Sequence, residues 1–194
     1  MRTCRLLGLC AIVSLTFSAG RAYAKISDTT RSLQAGQLSL GAEFQAGLAD
    51  GTPLGLNLHE EIGLRSGLDL VLDQQLRVSE GDGVLLAAGV KWTFLANTRK
   101  SPGLALWLTG FFDTGPDDAG FRGHFMVDNT WGKFTPYLAL DLDIFFGDDT
   151  NTIFSLIGGT RVGLVKNVAA FFEGGFSLDE DDQEFLSAGI RITL

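Results

Sequence analysis

The chain has 194 residues, with 23 acidic against 15 basic side chains and a formal net charge of −8. That acid excess argues against nucleic acid as a partner, because phosphate recognition rests on cationic side chains. Hydrophobic residues make up 45% of the composition, yet beyond the N-terminal stretch no apolar run is long enough for a membrane helix, so they must be distributed in another pattern.

Residues 1–24 carry a basic start (Arg2, Arg5), an apolar run through Phe17 and small residues at Ala22 and Ala24. This is the layout of a secretory signal peptide cleaved after Ala24, and its apolar run is too short to span a bilayer. Cys10 lies at the front of that run, whereas a lipid-attachment cysteine follows it. Both cysteines, Cys4 and Cys10, leave with the leader, so the remaining chain can form neither a disulfide nor a thiolate metal site. About 170 residues remain, enough for one domain.

Residues 25–36 are polar and unpatterned and read as an N-terminal tether. From residue 37 a period of two sets in: Leu38, Leu40, Ala42, Phe44 and Ala46 fall on one side, Ser39, Glu43 and Gln45 on the other, as in a strand with unlike faces. Residues 54–64 repeat the scheme, with Asn57, His59 and Glu61 opposite a mostly apolar even row. Arg65, Ser66 and Gly67 predict a three-residue hairpin loop that pairs Leu64 with Leu68. In 68–78 the polar face holds Asp69, Asp73, Gln75 and Arg77. In 84–96 the apolar row runs from Val84 to Ala96, with Lys91 and Thr93 opposite, and 104–112 follows after a turn. The loop 113–120 then changes parity, so that in 121–129 Phe121, Phe125 and Val127 oppose Arg122, His124 and Asp128. The turn 130–133 restores even parity for 134–146, FTPYLALDLDIFF, an apolar row set against Asp141 and Asp143. Segments 153–164, 168–178 and 185–194 bring the count to ten, with Arg161, Glu173 and Arg191 on their polar faces.

The turns carry a second signal. Asp50, then Glu80 and Asp82, Asp117 and Asp118, Asp148 and Asp149, and Asp179 to Asp182 occupy every other connection; Arg65, then Arg99 and Lys100, Lys133 and Lys166 occupy those between. Alternate turns of an up-and-down barrel lie at opposite ends, so the chain would have one acidic rim and one basic rim. Each strand is near the length that crosses a bilayer at a tilt, and an even number returns both chain ends to one side. The expected fold is all-β: a closed antiparallel up-and-down transmembrane β-barrel over residues 37–194, with ten strands and eight as the alternative.

In a lipocalin-like soluble barrel the apolar rows would point inward. Against that arrangement stand the export signal, the lack of disulfides and the glycines Gly41, Gly89, Gly175 and Gly189 in mid-strand on the polar faces, where they weaken a solvated sheet. With the apolar rows outward, closure satisfies every backbone group, as strands in lipid require. Aromatics then form girdles, with Phe112, Phe121, Phe146, Phe154 and Phe176 toward the acidic rim and Trp92, Phe94, Trp131 and Phe134 toward the basic one.

This pattern resembles the small, porin-like outer-membrane β-barrels of Gram-negative bacteria. The last strand adds to the resemblance: Leu186, Ala188, Ile190, Ile192 and Leu194 are similar to the alternating C-terminal signature that barrel-assembly machinery reads, with Leu194 where an aromatic is usual. The resemblance implies an outer-membrane location, with chain ends, tether and basic turns in the periplasm and acidic loops outside. It also implies outer-membrane lipid, lipopolysaccharide and the assembly machinery as partners.

The lumen candidates are Glu43, His59, Glu61, Asp69, Asp73, Arg77, Lys91, Arg122, His124, Asp128, Asp141, Asp143, Arg161, Glu173 and Arg191. With the bulky Trp107, Phe111, Tyr137, Phe145 and Phe171 in a ten-stranded interior, they predict a filled, charge-paired core rather than a wide pore. Arg122 and Arg161 are the expected partners of Asp141 and Asp143. His59 with Glu61, and His124 with Asp128, are candidate base and acid pairs, but they sit below the rim and no serine stands in a nucleophile setting. No cofactor is expected, since the run Asp179 to Asp182 lacks the ligand spacing of a calcium loop and suits loose attraction of divalent ions. Glu60 interrupts an outward row, diagonal to Gln74 on the next strand; it marks either a contact between copies or a bulge that turns it inward. Together these features point to a structural or narrow small-solute channel role. A barrel enzyme hydrolysing lipid or peptide at the acidic rim is the alternative, and a soluble ligand-binding barrel the third reading.

Overall fold

The computed structural model describes residues 29–48, 54–77, 83–98, 101–114, 118–146, 151–178 and 184–194. The predicted leader, most of the acidic-turn residues and Arg99 with Lys100 lie outside the described residues. Ten strands follow one another: β1 Leu38–Gly47, β2 Leu54–Arg65, β3 Leu68–Arg77, β4 Val84–Leu95, β5 Gly103–Asp113, β6 Asp118–Asp128, β7 Phe134–Phe145, β8 Asn151–Val165, β9 Val168–Ser177 and β10 Glu184–Thr193. Each pairs with the next, and β1 closes on β10 to make a barrel. The seam runs from Ser39 opposite Thr193 to Gly47 opposite Phe185, and the Leu194 N–H donates to the Leu38 carbonyl at 2.7 Å. Closure leaves neither edge strand unpaired.

The alternation read from the sequence decides which side chains go where. Inward positions on β7 (Thr135, Tyr137, Ala139, Asp141, Asp143, Phe145) are buried, while Phe134, Leu138 and Leu140 are exposed on the outer wall. The parity change between β5 and β6 is present: Asp113 pairs with Asp118 and Trp107 with His124, so β6 turns its even residues inward.

One detail of a hairpin differs. Gly67, at φ +78°, turns the β2–β3 connection, but the register slips between Gly63 and Arg65, so Leu68 faces Arg65 and not Leu64. Similar slips occur between Thr93 and Leu95 and between Gly163 and Val165. All three lie at the end of the barrel where β1 begins and β10 ends, called the terminal end below, and each lets an extra residue sharpen the local twist beside the turn.

The interior is packed in layers. Leu85, Ala87, Phe111, Phe145 and Ile153 cluster toward the end away from the termini. Val71, Ala105, Trp107, Met126, Ala139, Ile157 and Phe185 form a second cluster drawn from six strands, and Tyr137, Ala169 and Phe171 form a third.

The stretch expected to be a featureless tether is, from Thr29 onward, part of this packing. Thr29, Thr30 and Leu33 are buried, and the chain enters the mouth at the terminal end before turning out into β1. The reason is local hydrogen bonding to lumen side chains, which a pattern of alternating polarity does not register.

Candidate functional site in the lumen

Inward side chains pair across and around the wall. Toward the far end, the Arg122 guanidinium grips Asp143 with two bonds, Nε to Oδ1 at 2.7 Å and Nη2 to Oδ2 at 3.0 Å, and lies over the Phe111 ring at 5.5 Å. The two residues are directly opposite on β6 and β7, so the strand register itself presents a planar fork to a carboxylate. Arg77, at the end of β3, pairs with Asp113, at the end of β5, past the intervening β4.

At mid-height, His59 Nδ1 meets Asp73 at 2.5 Å, and His124 Nδ1 lies 2.9 Å from Asp141. Trp107 stands between the two imidazoles, with ring centroids 5.2 Å from His59 and 4.9 Å from His124. Nearer the terminal end, Glu61 is the hub. Lys91 pairs with it, Arg191 Nη1 donates to it at 3.1 Å, and His59 Nε2 is 3.8 Å away. Arg191 also lies over Phe171 at 5.5 Å, and Tyr137 Oη donates to Glu173 at 2.7 Å.

At the terminal end residues 29–36 lie inside the mouth, tied to the wall as a latch. Asp128 accepts from the Thr30 N–H and Thr30 Oγ1, each at 2.8 Å. Asp69 accepts from the Leu33 N–H and from Ser32 Oγ, each at 3.1 Å. Lys91 Nζ donates to the Arg31 carbonyl at 2.9 Å, and Thr93 Oγ1 to the Thr30 carbonyl at 2.7 Å. The wall is cut away to admit it: a Cβ on Gly63 would stand 2.1 Å from the Gln34 carbonyl oxygen, and one on Gly103 would stand 1.8 Å from Thr30 Oγ1. Around the latch a cavity of about 930 Å³ opens at the mouth, lined in part by Arg31, Lys133, Arg161 and Lys166. Deeper spaces, beside Glu43 and Arg191 and beside Asp73 and His124, hold about 10 Å³ each, room for roughly one water.

The fifteen predicted lumen residues are all on inward-facing positions, and all but Asp73 and Arg161 are buried. The pairings differ in places. Arg122 does meet Asp143, but Arg161 stands opposite Thr135 and Phe171, near the mouth, while Asp141 is opposite Ser155 and meets His124. Asp128 is held by the latch and by Asn97 Nδ2 at 2.5 Å, so His124 and Asp128 do not form the expected pair. Both histidines are almost fully enclosed, at 1% and 3% exposure, and neither faces solvent at a rim. Among the described residues no group of three or more His, Cys, Asp or Glu converges to hold a metal. Glu60 is on the outer wall, paired in unbroken register with Leu40 and Leu72, and Gln74 is one step along the diagonal opposite Leu58.

The comparisons with known proteins are of fold. The N-terminal β-barrel domain of Pseudomonas aeruginosa OprF is 11% identical, covers 84% of this chain and all of its own, with a TM-score of 0.42. A de novo designed transmembrane β-barrel is 10% identical over 84% of this chain and 100% of its own, TM-score 0.46. The KdgM porin is 12% identical over 79% of this chain and 98% of its own, TM-score 0.47. All three are β-barrels, and the likeness is one of fold alone. No family model matches the chain, and no curated protein does.

What the sequence missed is the latch, together with Asp113 and Met126 as lumen members. A signal for the latch was present in Asp69 and Asp128, two inward carboxylates at the terminal end with a single wall lysine near them.

Proposed function

We propose that the chain is an integral outer-membrane β-barrel with a closed lumen and a structural role, its termini and basic turns in the periplasm and its acidic turns at the cell surface. The supporting observation is the interior at mid-height, where Val71, Trp107, Met126 and Ile157 are each 1% exposed or less and Trp107 bridges the His59 and His124 rings. A solute would have to displace this layer and the latch above it.

The outer wall supports the membrane location. Its outward rows are built of leucine, isoleucine and phenylalanine, with Leu56, Leu86, Phe121, Leu140, Phe172 and Ile190 among those exposed, and closure of the sheet gives every strand a partner on both sides, as backbone in lipid requires. The partners this reading carries are outer-membrane lipid, lipopolysaccharide bridged through divalent ions to the acidic rim, and the assembly machinery during insertion. The hydrolase alternative would need a histidine within reach of substrate, and both are enclosed around Trp107.

Single-channel recording of the purified barrel in planar bilayers tests the proposal. Silence is expected across the voltage range; reproducible unit steps would replace the structural role with narrow solute passage. Release of the protein from membranes by salt or alkali alone, without detergent, would overturn the membrane location itself.

A further inference from the structure

The outer wall is not uniform around its circumference. Outward aromatic rings crowd β4 to β9, from Trp92 and Phe94 to Phe172 and Phe176, whereas the adjoining sector β10–β1–β2–β3 carries Phe44 alone among the described residues. Aromatic rings anchor a barrel at the two membrane interfaces, so this sector lacks the feature by which the rest of the wall grips lipid.

The same sector holds Glu60 and Gln74. Both sit near the middle of their strands, and in the described outward rows Glu60 is the one charged side chain away from a strand end and Gln74 the one amide. Among the described residues neither has a hydrogen-bond or ion-pair partner. A carboxylate facing hydrocarbon at mid-depth is unfavourable unless something meets it.

We infer that the β1–β3 wall is a contact face for a second copy of this chain, the two barrels standing side by side about a two-fold axis normal to the membrane. This rests on the membrane-barrel reading. A two-fold contact is self-complementary: residue i meets j and j meets i. Gln74 supplies an N–H donor and Glu60 an acceptor, so one operation satisfies both groups twice. The rows that carry them run Ala42, Leu58, Gln74 and Glu60, Leu72, Ala88. Each polar group is thus two strands from an alanine, and small residues let two walls approach closely enough for hydrogen bonds to form.

The test is disulfide trapping in liposomes, using the full chain with Cys4→Ser and Cys10→Ser and one new cysteine. Leu58→Cys is expected to give a covalent dimer on mild oxidation, and Leu140→Cys, on the aromatic side, to give little. Adding Glu60→Leu and Gln74→Leu should weaken association on the order of tenfold or more by sedimentation equilibrium in detergent. Equal trapping at the two positions, or an undiminished dimer in the double leucine variant, overturns the inference. Heat-modifiable migration on gels, recorded in every sample, separates the outcomes. A folded monomer removes the contact face only, while a chain that never shows the compact band removes the barrel reading beneath it.

Discussion

Gly63→Ala is the sharpest probe of the latch, because the new methyl group would collide with backbone. Its Cβ would lie 2.1 Å from the Gln34 carbonyl oxygen, 2.8 Å from the Gln34 carbonyl carbon and 3.0 Å from Leu33 Cβ, and no rotamer change relieves a contact with main chain. The segment must withdraw. It would forfeit the bonds Gly36 N–H to Gly63 carbonyl at 2.8 Å and Gly63 N–H to Gln37 carbonyl at 3.0 Å, and with them the Leu33 N–H bond to Asp69 at 3.1 Å. At about 0.5–1.5 kcal/mol net for each of the two backbone bonds, and about 1.5–3 kcal/mol for the one to a carboxylate, the loss is about 2.5–6 kcal/mol. Each 1.4 kcal/mol is a factor of ten in population, so amide exchange over 29–37 should accelerate by roughly fifty-fold to ten-thousandfold, with β7 unchanged. Hydrogen exchange read by mass spectrometry on the folded barrel measures both regions at once. Unchanged protection over 29–37 in a barrel that still migrates as folded would refute the docked latch.

Asp128→Asn keeps the shape but removes the charge that holds Thr30, and should loosen the latch by about 1.5–3 kcal/mol without altering the heat resistance of the barrel on gels. Arg122→Gln leaves the buried Asp143 without its cation and should destabilise the barrel by about 3–5 kcal/mol, seen as a lower urea midpoint for the folded band. Lys91→Met strips Glu61 of a cation and the Arg31 carbonyl of a donor, so it should both lower that midpoint and speed exchange over 29–37. Trp107→Ala empties the centre of the lumen at a cost of about 3–5 kcal/mol, and tryptophan emission should lose its buried component.

The wall was legible from the chain because each strand repeats one binary decision, and ten repetitions of it with turns of alternating sign leave little freedom in topology or register. Even the parity change before Phe121 could be read, since a slip by one residue would have put Arg122 and Asp128 in the lipid-facing row. The lumen was legible as a set and less so as pairs. Arg122 and Asp143 follow from register alone, but Arg161, expected beside Asp141 and Asp143, stands opposite Thr135, six residues along β7 from Asp141, because its distance along the barrel axis depends on where the β7–β8 pairing falls. The latch was illegible for a different reason. Its bonds run from main-chain N–H groups and small hydroxyls to Asp69 and Asp128, and a backbone donor leaves no mark on residue type. Apart from the carboxylates Asp69 and Asp128 themselves, only the glycines at 63 and 103 record its presence, and they are two among 25.

The seam between β1 and β10 has a consequence in time. Ser39 waits for Thr193 and Leu38 for Leu194, the first and last residues of the wall. Until the final strand is in place, the sheet has two open edges, each a template for a wrong partner. Contacts this distant in sequence also form slowly. Closure is therefore the last pairing this topology completes, and a chain lacking β10 would leave β1 and β9 each with a bare edge, a curled ribbon that never becomes a cylinder.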